Sequence, residues 1–221
     1  MSEATTPAEP HDSREVAHKK DTLELFAVAL MALTAVMTAW SAFEASKWGG
    51  VMSINFAEAG ATRTESIRAS NLANQQFAVD VSLFTEFADA TANDQPELAT
   101  FYRNRFPDRL AVATDAWLET KPFQTDDAPS SPFDMDDYVL EANIEAEDLQ
   151  NQADQKSEDA RTANQDGDNY TITSVLFATV ILLAALSGKV RTLRTARLLL
   201  GLSVVLFIGS VAIIATYPIE I

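Results

Sequence analysis

The stretch LFAVALMALTAVMTAWSAF, residues 25–43, decides how this chain folds. It is nineteen residues long and carries no charge, close to the roughly 20 apolar residues with which a helix crosses a bilayer. Two later uncharged segments have the same character: TITSVLFATVILLAALSG at 171–188 and LLLGLSVVLFIGSVAIIATY at 198–217. The sequence therefore predicts an all-α integral membrane protein with three transmembrane helices.

Small residues recur at spacings of three and four along the first of these helices. They are Ala32, Ala35, Ala39, Ala42, Ser46, Gly49 and Ser53, and they continue past Glu44, where the apolar run has ended. This continuity predicts one helix over residues 22–60 that starts in the membrane and leaves it. A second series, in a later predicted helix, consists of Ala142, Ala146, Ala153 and Ala160. Because small residues let helices approach closely, we expect both series to be helix-packing surfaces on two long antiparallel legs.

Most of the acid lies between the first and second spans. Residues 44–170 hold 25 acidic and 9 basic side chains, which accounts for the whole net charge of −16. Apolar residues there follow helical spacing, without the alternation typical of strands. We therefore expect the long helices to extend into an acidic helical bundle. The predicted parts are a disordered tail at 1–18, spans at 19–43, 171–188 and 198–217, the acidic domain at 44–170, a basic loop at 189–197 and a C-terminal tail at 218–221.

The loop between the last two spans predicts the orientation. It carries Lys189, Arg191, Arg194 and Arg197 and no acid. Basic loops stay on the cytoplasmic side of a membrane. This places the N-terminus in the cytoplasm, and the acidic domain and the C-terminus outside the inner (plasma) membrane.

Prolines predict the breaks within the acidic domain. The sequence Asp94-Gln-Pro-Glu97 has the form of a capping box that starts a helix, and Pro107 should interrupt that helix. Three prolines make residues 121–134 a loop, after which a long helix is predicted from about Met135.

The residue inventory argues against most enzymatic chemistry. There is no cysteine, and the only histidines, His11 and His18, lie in the N-terminal tail. No glycine-rich phosphate loop occurs, and a chain with net charge −16 repels nucleic acid. We therefore expect a non-enzymatic protein without a cofactor and without a nucleic-acid partner.

Calcium is the one metal that the sequence leaves open. Five aspartates crowd around the proline-rich loop: Asp126, Asp127, Asp134, Asp136 and Asp137. Carboxylate oxygens are ligands that Ca²⁺ prefers, but the spacing is not that of an EF-hand. Acids in this position can also cap the start of the following helix.

Three functions follow in order of preference. The first is a self-associating scaffold or an accessory subunit, with the bilayer and either a homo-oligomer or another membrane protein as partners. The second is an oligomeric channel or transport component lined by Ala, Thr and Ser of the first span, with Thr34, Thr38 and Ser41 as candidates. An enzyme comes third, because it would need metal–carboxylate chemistry that the sequence does not locate.

Several short motifs resemble a known group of proteins. They are the block Ala39-Trp-Ser-Ala-Phe-Glu-Ala-Ser-Lys-Trp-Gly-Gly50, Ser131-Pro-Phe133 with Tyr138, and Asp168-Asn-Tyr170. The chain is similar to bacterial membrane protein families of unknown function that have one N-terminal and two C-terminal spans. The resemblance implies the architecture and assigns no activity.

Overall fold

The protein is all-helical throughout the part of the chain that the structure describes. The computed structural model describes residues 10–125 and 127–220, with side chains from residue 21 onward. The helices are α1 (Pro10–Ala92), α2 (Pro96–Arg103), α3 (Asp108–Glu119), α4 (Glu141–Lys189) and α5 (Leu193–Ile214), with a 3₁₀ turn at Pro132–Asp134. Within these ranges there is no β-strand, so the predicted all-α class is confirmed.

Three of the helices are long and apolar enough to cross a membrane. They are α1, α4 and α5, and the apolar segment of α1 lies within Asp21–Ala92. Two of the three run well beyond the length of a single span, because a helix rises only about 1.5 Å per residue. The prediction of long helices that hold an apolar segment of spanning length and continue past it is therefore confirmed for α1 and α4.

Helix α1 begins earlier than the sequence predicts. Its first residue is Pro10, so residues 10–18, for which we expect disorder, have a helical backbone. No glycine or proline occurs between Pro10 and Gly49, so a helix nucleated by the apolar segment can propagate back along the chain. The prediction for residues 1–9 lies outside the described residues.

The break after α1 is where prolines predict it, but Asp94 has a different role. The prediction of a capping box at Asp94 is wrong, because α2 has Gln95 at its N-cap and no side-chain capping bond. Asp94 takes a left-handed φ of 54° and ends α1. The Gln95 N–H donates to the Ala90 carbonyl at 2.9 Å and the Asp94 N–H to Thr91 at 3.3 Å, the pattern of a Schellman motif.

The predicted long helix after the proline-rich loop starts later than expected. A 3₁₀ turn occupies Pro132–Asp134, and α4 begins at Glu141 and not near Met135. Pro107 interrupts the helix before the loop as predicted, since α2 ends at Arg103 and α3 starts at Asp108.

The chain forms two compact units, each of which contains part of α1 and part of α4. Unit 1 comprises Met1–Asn55 and Glu158–Ile221, and unit 2 comprises Phe56–Ser157. In unit 1 the apolar segments of α1, α4 and α5 pack together around two groups of buried apolar residues: Ala27, Leu30, Val180, Ala184 and Leu200, and then Tyr170, Phe177 and Ile214. Gly167 of α4 lies close to α1, since a Cβ there would be 3.5 Å from the Ala45 carbonyl oxygen and from Trp48 Cβ.

Unit 2 packs the distal part of α1 against α2, α3 and the first part of α4. Its buried positions are mostly small, among them Ala59, Ala69, Ala73, Ala113, Ala142, Ala146 and Ala153. The Ser66 hydroxyl donates to the Ala146 carbonyl at 2.7 Å, and Lys156 pairs with Glu58 at 2.7 Å. Residues further along α1 contact residues earlier in α4, so the two helices run antiparallel within this unit.

Candidate functional site

The small-residue series of α1 lies on a face that the chain itself does not cover. We call Ala32, Ala35, Ala39, Ala42, Ser46, Gly49 and Ser53 the small-residue face. Six of these residues are exposed and Gly49 is half-buried. The α1 residues buried inside unit 1 are different ones: Ala27, Leu30, Thr34, Ser41 and Glu44. The packing of the single chain therefore leaves the six exposed residues of the small-residue face outside its own core, while Gly49 lies near Gly167 of α4.

The small-residue face keeps a strict seven-residue repeat. Ala32, Ala39, Ser46 and Ser53 are seven apart, and Ala35, Ala42 and Gly49 form a second series with the same spacing. At 3.6 residues per turn the seven positions fall within an arc of about 100°. The large exposed side chains of this segment, such as Val36 and Phe43, lie on a neighbouring arc. A small-residue repeat of this period is typical of a close helix–helix contact.

The small residues of α4 have the opposite placement. Ala142, Ala146 and Ala153 are buried in unit 2, and Ala160 is buried in unit 1. At Ala146 the neighbour on α1 is Ser66, which does not belong to the small-residue face. The α4 series is therefore a packing surface within the chain.

The pore-lining candidates of the first span point into the chain. Thr34 and Ser41 are fully buried and Thr38 is half-buried. The Thr34 hydroxyl donates to the Leu30 carbonyl at 2.6 Å, and Thr38 donates to Thr34 at 2.9 Å. Thr34 and Ser41 are thus absent from the face that a second copy could contact.

A buried carboxylate lies where α1, α4 and the segment after α5 meet in unit 1. Glu44 is 0% exposed, and its Oε2 accepts the N–H of Glu220 at 3.1 Å. The Pro218 carbonyl accepts from the Tyr170 hydroxyl at 2.9 Å and from Trp48 Nε1 at 3.3 Å. These three side chains hold the main chain of residues 218–220, which we call the strap.

Unit 2 has its own buried carboxylate, and this one is fully paired. Asp80 of α1 is 0% exposed. Arg109 of α3 donates to it twice, from Nε to Oδ2 at 2.6 Å and from Nη2 to Oδ1 at 3.1 Å. The Tyr138 hydroxyl donates to Oδ2 at 2.8 Å. A bidentate guanidinium contact is the strong geometry for such a pair, so Asp80 joins α1, α3 and the loop before α4.

Aromatic rings surround this pair and explain the Ser131-Pro-Phe133 motif. Phe133 packs edge-on against Phe77 and Phe84 of α1 and against Tyr138, with ring centroids 5.0–5.7 Å apart. Trp117 Nε1 donates to the Pro129 carbonyl at 2.7 Å. The proline-rich loop is thereby fixed to the helices of unit 2, and its role there is structural.

The environment of Tyr138 gives unit 2 a sensitivity to alkali. Burial raises the pKa of Tyr138 above its ordinary value of 10.0. The hydrogen bond to Asp80 and the negative charge of Asp80 raise this pKa further, while Arg109 lowers it. As pH rises past that value the unfolded chain loses the proton while the folded chain keeps it, so stability should fall. We expect the melting temperature to drop more steeply above about pH 10 in the natural chain than in Tyr138→Phe. Parallel curves from thermal melts at increasing pH would contradict this.

The calcium candidates do not converge in the described part of the chain. No group of three or more His, Asp or Glu side chains placed to hold a metal ion occurs among the described residues. Asp134 accepts from the backbone N–H and the hydroxyl of Ser131, at 3.1 and 3.0 Å. It therefore caps the 3₁₀ turn. Asp126 lies outside the described residues, and no contact between Asp127, Asp136 and Asp137 brings them together.

Sequence reasoning missed Glu44, Asp80, Arg109 and Tyr138 as a set of buried polar contacts. Their partners are distant along the chain, 176 residues for Glu44 and 29 and 58 residues for Asp80. One signal was present, because Asp80 interrupts an apolar helical series that includes Phe77, Phe84 and Phe87. An acid on a core-facing stripe predicts a buried partner of opposite charge.

Comparison of the chain with protein-family models, with curated proteins and with solved structures finds no match in any of the three.

Proposed function

We propose that this chain is a non-enzymatic membrane protein that assembles with further copies of itself through the small-residue face of α1. Its role would be that of a scaffold, or of an accessory subunit whose own association organises a larger membrane assembly. The observation that carries the proposal is the exposure of this face, while a different face of the same helix is buried inside unit 1.

The chemistry of the face favours a helix as its occupant over lipid. Lipid chains pack well against large apolar side chains, and Leu33, Val36 and Phe43 supply such a surface on the neighbouring arc. Alanine, serine and glycine offer little area to lipid but let two helix backbones approach. A seven-residue repeat keeps such a contact in register when the two helices wind around each other.

A second copy of α1 is the simplest partner with matching geometry. Copies inserted in one membrane share an orientation, so the face of one α1 meets the same face of another in parallel, as a two-fold interface requires. The basic loop favours an orientation in which the N-termini of both copies lie in the cytoplasm and their acidic units lie outside. The acidic units carry like charge, so the drive to associate must come from the packing of the helices.

Leucine substitution on the face tests the proposal. Ala39→Leu adds bulk at the centre of the repeat and should weaken association about 10-fold or more, because overpacking of this kind costs about 1–3 kcal/mol. The mass of the protein extracted from its own membrane, measured by native mass spectrometry, should shift from a fixed oligomer to the monomer.

A matched control lies on the arc that we assign to lipid, seven residues before Val36. Ala29→Leu makes the same substitution at an exposed position and should leave the oligomer unchanged. Loss of the oligomer in both variants, or in neither, would contradict the assignment of the interface. A complex with a different protein in place of a homo-oligomer would overturn self-association.

A further inference from the structure

Unit 1 contains two buried oxygens that no group of the described chain satisfies. They are Glu44 Oε1 and Ser41 Oγ, and both residues are 0% exposed. A buried polar atom without a partner costs about 1–3 kcal/mol, and more when it carries charge, so native structures rarely leave one. Two such atoms three residues apart on one face of one helix point to a shared ligand.

Ser41 differs from the other hydroxyls in the spanning segments. Thr34, Ser187, Ser203 and Ser210 are also buried, and each donates to a carbonyl of its own helix at 2.6–2.8 Å. Ser41 is the exception among these buried hydroxyls. Its oxygen therefore remains free to accept or coordinate on the same side as Glu44.

The chemistry of the two atoms defines the class of ligand. A carboxylate oxygen and a hydroxyl oxygen are hard donors, and the other Glu44 oxygen already takes the N–H of Glu220. No Lys or Arg of the described residues forms an ion pair with Glu44. One carboxylate balances one positive charge, whereas Ca²⁺ takes 6–8 oxygens, often from several carboxylates. Zinc sites have three or four protein ligands, most of them His nitrogen or Cys sulfur, which these two residues do not offer.

We propose that Ser41 Oγ and Glu44 Oε1 bind a monovalent alkali cation at the end of unit 1 that the strap covers. No hydrogen bond links Glu44 Oε1 to Ser41 Oγ, so the two oxygens do not satisfy each other. A cation serves both oxygens and neutralises a charge buried in an apolar environment. The strap closes the site, since its Glu220 N–H orients the carboxylate.

Sodium ions alone are the probe for the test. The full chain in detergent should retain about one ²²Na⁺ per chain, and its melting temperature should rise with NaCl relative to choline chloride of equal concentration, because a ligand of the folded state stabilises it. Glu44→Gln should abolish both effects. Ser41→Ala, which removes one oxygen and keeps a good helix former, should raise the sodium concentration for half-saturation about 10-fold or more.

Two control variants separate the site from general effects. Ser203→Ala removes a buried hydroxyl that its own helix satisfies, and Glu24→Gln removes an exposed charge in the same unit. Both should bind sodium like the natural chain. If the natural chain retains no ²²Na⁺ and melts equally in sodium, lithium, potassium and choline chlorides, the proposal is wrong.

Discussion

Arg109→Met should destabilise unit 2 by about 3–5 kcal/mol, because it leaves the carboxylate of Asp80 buried without its counter-charge. Asp80 is fully buried, and two of its three hydrogen bonds come from Arg109. The Arg109 side chain is itself 25% exposed, so we expect a value toward the lower end of the range. Helical circular dichroism during denaturation of the full chain measures the loss.

Two comparisons separate the buried pair from ion pairs in general. Arg63→Met breaks a pair whose side chains are 44% and 60% exposed, so it should change stability by less than about 1 kcal/mol. The double variant Asp80→Leu with Arg109→Met should recover much of the loss, because it removes the stranded charge as well. A double variant as unstable as Arg109→Met alone would show that shape, and not charge burial, decides this site.

Glu220→Pro should destabilise unit 1 by about 1–3 kcal/mol, because it removes the backbone hydrogen bond from Glu220 to Glu44. Proline has no backbone N–H, so the substitution removes the only donor that the described structure gives to Glu44. The other strap contacts, from Tyr170 and Trp48 to the Pro218 carbonyl, remain possible. A lower melting temperature of the full chain in detergent is the expected readout.

The control for this prediction is Glu220→Ala. Alanine keeps the backbone N–H and removes only the side chain, so the melting temperature should stay close to that of the natural chain. Equal destabilisation by alanine and proline would mean that the Glu220 side chain matters and that the hydrogen bond to Glu44 does not.

The long apolar helices and most breaks could be predicted because they depend on local composition. Residues 25–43 are apolar whatever surrounds them, and Pro107 cannot continue a helix in any context. Asp94 shows the limit of local rules. The same acid can begin the next helix or end the previous one, and here the left-handed turn after α1 is what forms.

The buried polar contacts could not be predicted because their partners are brought together only by the fold. Glu44 follows the apolar run directly, and sequence alone indicates that it leaves the membrane for water. The strap follows α5 and covers Glu44, and that contact depends on where α5 ends beside α1 and α4. The small-residue series of α1 was visible in the sequence, but its exposure depends on which face of α1 meets α4 and α5.

A cysteine scan of α1 tests the central claim, self-association through the small-residue face, most directly. The natural chain has no cysteine, so single substitutions at each position from 32 to 43 report without background. Disulfides form only when two Cβ atoms come within about 4 Å, so crosslinking in native membranes maps the contact. The account predicts strong dimer bands for Ala32→Cys, Ala35→Cys, Ala39→Cys and Ala42→Cys, and weak ones for Val36→Cys and Phe43→Cys. Maximal crosslinking at positions 36 and 43, or equal crosslinking at every position, would contradict it.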